Sequence, residues 1–254
     1  MYSRRTFLKI SASITALVAG GYFFKSSGVP NVKHILSSAS HERLGISLSL
    51  SKSTSKLELL LNGSNLINGR KTDKEGKHWQ FLSNKLISNE SYELQLISEN
   101  EPIYKRWTIK TFPDPEAKIK KLSFMSFTCP GGGDAFRASG REFFKPFSFR
   151  QNIFNEGLSK NPDFAIAIGD HVYWDLRGES SPPVGRNSKL IKFFLGGYLR
   201  LRYGSFNRLE SADSKTNESV LKKIGNEQIA SLYGTRFKST PIFFIPDDHD
   251  YFEN

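Results

Sequence analysis

The sequence predicts a β-sandwich followed by a layered α/β domain, and three observations predict it. Between residues 40 and 112, apolar and polar residues alternate with a period of two in short runs. Pro113-Asp114-Pro115-Glu116 then interrupts the chain with two prolines in three residues, which hold the backbone extended. Beyond Ile119, fully apolar runs of four or five residues alternate with segments of helical periodicity, the pattern of a layered α/β unit.

Taken in order, residues 1–39 read as a targeting segment and linker. Arg4 and Arg5 precede Phe7-Leu8-Lys9 and a weakly apolar stretch over residues 10–24. That stretch is short for a membrane span, which needs roughly 20 apolar residues, so an export signal is expected, with retention as an anchor the alternative. The paired arginines resemble the bacterial twin-arginine signal, which implies the twin-arginine export machinery as a partner and a location in the periplasm or at the cell surface.

In the sandwich, strands are expected at 44–50, 57–61, 79–82, 92–96 and 107–112, with a turn at Asn62-Gly63-Ser64. Residues 113–118 form the linker. In the second domain, strands are expected at 122–127, 164–168 and 241–245, and helices at 148–160, 189–203 and 218–233. Ser180 to Gly185 reads as a surface loop.

Composition sets outer limits. The chain has 254 residues, 38% hydrophobic and 24% charged, with 21 phenylalanines to build cores, so a disordered chain is excluded. A single cysteine, Cys129, excludes a disulfide framework within the chain. The net charge is +11; four of those positives lie in the first 28 residues, which contain no acid, leaving +7. No basic-aromatic array points to a specific nucleic acid.

Two acidic clusters stand at the ends of apolar runs. Gly169-Asp170-His171-Val172-Tyr173 follows Phe164 to Ile168, and Asp247-Asp248-His249-Asp250 follows Ile242 to Ile245. Ligand sites of open α/β sheets lie just past the carboxyl ends of the strands. Carboxylates crowded there repel one another and are costly to bury, and a cation removes that cost. Asp170, after a glycine that permits close backbone approach, is a candidate to bridge two ions. Tyr173, three residues on, is either a packing ring, the reading it would take alone, or a phenolate suited to a hard, highly charged metal. His249 is a candidate general acid or phosphoryl ligand. Cys129 ends a third strand and is either a thiolate ligand or a buried thiol. The glycine run 131–133 lacks the Lys and Ser/Thr of a P-loop and reads as a flexible loop.

The twin arginines, the strand-rich first domain ending in Thr111-Phe112-Pro113, Phe127-Thr128-Cys129, Gly169-Asp170-x-x-Tyr173 and Asp247-Asp248-His249-Asp250 together resemble the PhoD family of alkaline phosphatases, within the calcineurin-like metallophosphoesterases. The resemblance implies a four-layer α/β/β/α catalytic domain, present here only in part, and a centre of ferric iron and calcium. It implies Cys129, Asp170, Tyr173 and Asp248 as metal ligands and His249 as the catalytic imidazole. Asp250, Asp247 and His171 would be supporting residues around them. Asp248 stands where most calcineurin-like enzymes carry asparagine. Purple acid phosphatases share Asp-x-x-Tyr but carry Asp where this chain has Cys129. The family's domain continues past its Asp-Asp-His motif and supplies further ligands, whereas this sequence stops at Asn254, so a fragment or a degenerate enzyme is expected.

The function expected is thus an exported, metal-dependent phosphomonoesterase or phosphodiesterase acting on a phosphate ester. The alternatives are an inactive cell-surface binding protein and a nuclease-like phosphodiesterase.

Overall fold

A computed structural model describes residues 30–138, 141–173, 202–207, 209–247 and 250. The export segment with Arg4 and Arg5, most of the helix expected at 189–203, the loop at 180–185, and Asp248 and His249 lie outside the described residues.

The first unit has two antiparallel sheets over one core. One sheet orders β1 (Val32–Ala39), β2 (Leu44–Leu50), β6 (His78–Ser83) and β5 (Arg70–Lys71) as β1-β2-β6-β5. The other contains β4 (Asn65–Asn68), β3 (Glu58–Leu61), β7 (Ser91–Ser98) and β8 (Glu101–Pro102), with β9 (Trp107–Lys110) also paired to β7. The inward side chains of each alternating strand, among them Ile46, Leu48, Phe81, Leu94, Leu96 and Ile109, merge into a single buried cluster. The first strand begins at Val32, inside the stretch assigned from sequence to the linker. Its His34, Ser37 and Ser49 neighbours are buried polar groups, which hides the alternation from a purely apolar reading.

The second unit is built on a three-stranded parallel sheet of β10 (Phe124–Thr128), β13 (Phe164–Ile168) and β14 (Ile242–Ile245), ordered β10-β13-β14. A short hairpin, β11 (Phe136–Ala138) with β12 (Arg141–Phe143), and helix α1 (Phe147–Leu158) lie between β10 and β13. Helix α2 (Lys215–Ile224) is capped by Ser214, whose side chain accepts from the Asn217 amide, and carries Lys222 and Lys223 in its last turn, where the helix dipole favours cations. One helix was expected over 218–233. Instead α2 passes into a π-helical stretch, Gly225–Ser231, before a 3₁₀ turn, Arg236–Lys238.

The apolar runs 164–168 and 242–245 read from sequence as strands buried on both faces, and here the structure differs. One face of the sheet packs Ala165, Ala167 and Ile242 against Phe154, Leu232, Tyr233 and Phe237. On the opposite face Phe124, Ile168 and Ile245 are 57%, 42% and 51% exposed. Phe112, at the end of the sandwich, lies against the rings of Phe164 and Phe243. The described residues place no helical layer over the rest of that face.

The two units are tied directly. Ile35 donates its amide to Gly234 O at 3.0 Å and Ser37 Oγ donates to Lys238 O at 2.8 Å. No helix of the described residues is long and apolar enough to cross a membrane.

Candidate metal centre at the carboxyl edge of the sheet

The parallel register aligns Thr128, Ile168 and Ile245 across the sheet, so the three strands end at one edge. Cys129 follows the first directly, Asp170 lies two residues past the second and Asp247 two past the third. Gly169 makes this convergence possible. Its φ is +65°, its amide donates to Ile245 O at 2.7 Å, and Asp247 packs against its bare Cα.

Asp170 and Cys129 both sit at positive φ, 53° and 51°. Non-glycine residues pay about 1 kcal/mol or more for that region and hold it where surrounding structure over-determines it. Asp170 Oδ2 accepts the Tyr173 hydroxyl at 3.1 Å, while Oδ1 is buried without a hydrogen-bond partner. The Cys129 thiol bonds Thr128 Oγ1 at 3.1 Å. That bond favours the thiolate, but contact with Asp170, burial, and the charges of Asp170 and Asp247 outweigh it and push the thiol pKa up. A carboxylate oxygen buried without a donor, beside a thiol held protonated by negative neighbours, lacks positive charge. A bound cation would satisfy both groups.

The other acids of the edge hold the backbone. Asp250 Oδ1 accepts the amides of His171 and Val172, each at 2.9 Å, and its Oδ2 accepts the Asp247 amide at 3.1 Å. His171 is buried; its Nε2 bonds Ile245 O at 3.0 Å, its ring meets Phe244 edge-on, and its Nδ1 has no partner. Asp250 and His171 therefore lash the exit of β13 to the exit of β14.

Two positioning residues escaped the sequence. Arg150, on α1, donates through Nη1 to Pro130 O at 2.7 Å, Gly131 O at 2.6 Å and Gly132 O at 3.3 Å, and through Nη2 to Gly133 O at 2.6 Å. The glycine loop read as flexible is instead buried and pinned, its carbonyls turned onto one guanidinium. Gln228, on the π-helical stretch, accepts the Gly132 amide at 3.0 Å and the Tyr173 amide at 2.9 Å on one oxygen. It thereby joins the Cys129 loop to the Asp170–Tyr173 loop. Beside it, Glu227 pairs with Arg202 through both carboxylate oxygens and accepts the Asp134 amide. π turns widen the helix and recur at functional sites. The available signal was a glycine run whose bare carbonyls need donors, but nothing local says which helix supplies them.

An apolar cavity of about 260 Å³ opens beside Cys129 and Tyr173, walled by Phe127, Phe144, Phe149 and Ile153. Among the described residues no group of three or more His, Cys, Asp and Glu side chains is arranged to hold a metal ion.

No family model and no curated protein matches the chain. Among solved structures it is similar to PhoD (TM-score 0.46, 12% identity, 88% of this chain and 40% of that one). It is also similar to a purple acid phosphatase from yellow lupin (Lupinus luteus) seeds (TM-score 0.42, 13% identity, 87% of this chain and 35% of that one). The sensor domain of an anti-sigma factor from Pseudobacteroides cellulosolvens matches 37% of this chain and 99% of its own, at TM-score 0.28 and 14% identity. The chain spans less than half the length of either phosphatase.

Proposed function

We propose that the chain carries part of the centre of an exported, metal-dependent phosphoric ester hydrolase of the PhoD kind. The observation that supports this best is the strand-edge site itself. Three parallel strands end at one edge of the sheet with Cys129, Asp170 and Tyr173, and Asp247 just beyond them, and Asp170 is held at positive φ with a buried, unpartnered oxygen. Cys129, Asp170, Tyr173 and Asp248 would hold ferric iron and calcium. Bound there, the ions would activate water and offset charge developing on the phosphoryl oxygens.

The chain's own residues supply position. Gly169 lets Asp247 close on the β13 exit, Asp250 fixes the two acidic loops together, and Gln228 and Arg150 set the Cys129 loop against Tyr173. Tyr173 would act as a phenolate once its hydroxyl proton passed to solvent water, and this would free Asp170 Oδ2 from the bond it now accepts. His249 would deliver a proton to the leaving oxygen.

The test is metal analysis of the purified 254-residue chain after loading with iron and calcium, paired with hydrolysis of a nitrophenyl phosphate and of a phosphodiester. Stoichiometric metal that is lost in Asp170→Ala supports the proposal, and metal-dependent turnover extends it to catalysis. Absence of both metal retention and hydrolysis would overturn it.

A further inference from the structure

Away from the strand edge, a cavity of about 640 Å³ lies between the sandwich and α2. A second, of about 510 Å³, adjoins it through Lys33, Lys223 and Asn226, and runs toward Arg202 and Glu227. Six lysines and three carboxylates line the larger cavity.

All three carboxylates are already matched. Lys222 reaches Asp73, Glu75 and Glu218 at 3.6, 3.0 and 3.1 Å. Lys77 pairs with Glu75 at 2.7 Å and Lys74 with Glu218 at 3.6 Å. Asp73 also accepts the amides of Lys77 and His78, and these bonds with the Lys222 charge hold its carboxyl below the usual range despite partial burial. His78 is neutral at pH 7, its pKa lowered by burial. In the adjoining cavity, Arg202 and Glu227 cancel each other.

Three cations remain. Lys33 comes from β1, and Lys215 and Lys223 from opposite ends of α2, and none has an ion-pair partner among the described residues. Like charges gathered in a concave site focus a positive field and attract multivalent anions. Asn226 and the hydroxyls of Ser51 and Ser219 add neutral donors to the same lining. Cations drawn from two elements suit an anion whose charge is spread over several linked groups, such as a chain of phosphates.

We propose that this cavity is a binding site for a compact polyanion of linked phosphate groups, held by Lys33, Lys215 and Lys223 and separate from the strand-edge site. Its ligand bridges β1 and α2 and therefore braces the two units. The proposal stands independently of any phosphatase activity.

Titrating the 254-residue chain with inorganic tripolyphosphate, by calorimetry at low ionic strength, tests it. Saturable one-to-one binding with a raised melting temperature is expected. The double variant Lys33→Ser/Lys223→Ser should bind about tenfold more weakly or worse. Lys118→Ser/Lys121→Ser, which removes the same charge from the stretch between the sandwich and β10, and Asp170→Asn at the strand edge should bind as the parent does. A nucleoside triphosphate and orthophosphate at matched ionic strength separate the sources. Equal affinity for the triphosphate assigns a nucleotide, and preference for tripolyphosphate assigns an inorganic chain. No saturable binding, equal loss in both lysine pairs, or loss in Asp170→Asn would overturn the proposal.

Discussion

Gly169 and Asp247 meet across the ends of β13 and β14 with no room for a side chain between them. A Cβ on residue 169 would lie 2.7 Å from Asp247 Cβ and 2.8 Å from its Oδ2, and the glycine's φ is +65°. Gly169→Ala therefore adds both overpacking and a left-handed alanine. It should lower unfolding free energy by about 2 kcal/mol or more, read as a shift of the urea midpoint, and should weaken metal retention at the edge by displacing Asp247.

Asp250 accepts three backbone amides, those of His171, Val172 and Asp247. Asp250→Ala leaves all three unbonded and should cost about 3 kcal/mol, whereas Asp250→Asn keeps one acceptor oxygen and should cost roughly half. Amide exchange at His171 and Val172 separates the cases. Protection lost in the alanine variant but retained in the asparagine variant is expected.

Arg150 and Gln228 hold the Cys129 loop from two sides. Arg150→Met strands four carbonyls and should destabilise by about 3 kcal/mol while exposing residues 129–134 to limited proteolysis. Arg150→Lys should restore only part of the loss, since one ammonium cannot reproduce the two-pronged contact. Gln228→Leu removes the shared acceptor for Gly132 and Tyr173 and should cost about 2 kcal/mol. Protease resistance unchanged in Arg150→Met would show that the loop is held by other contacts.

His34 is buried in β1, its Nδ1 bonded to Ser49 Oγ at 2.6 Å. Burial, then the nearby His78, lowers its pKa from the ordinary 6.5 to about 4. The folded state therefore resists a proton that the unfolded chain accepts. Stability is full above pH 6.5, declines as pH falls toward 4, and levels off below. The loss attributable to His34 should reach up to about 3 kcal/mol. Melting curves between pH 7 and pH 4 check it. His34→Gln should flatten the slope, leaving the smaller contribution of His78, whose pKa is also lowered by burial.

The sequence alone determined the elements whose signals are local. The alternation of Leu44–Leu50 and Ser91–Ser98, the runs Phe164–Ile168 and Ile242–Ile245, and the prolines after Phe112 announce strands and a break because propensity and periodicity act over a few residues. They also located Cys129, Asp170, Tyr173 and Asp247 at strand ends, since a titratable residue after an apolar run is visible without a fold. Only the tertiary structure decided which of these share an edge, because register between strands forty to eighty residues apart is a long-range choice. The same is true of Arg150 and Gln228, ordinary polar residues on helices until the loop they bond is folded against them. It also left one face of the parallel sheet half exposed where the apolar runs predicted two covered faces. An apolar run records that a strand can be buried, and only its packing neighbours determine on how many sides it is.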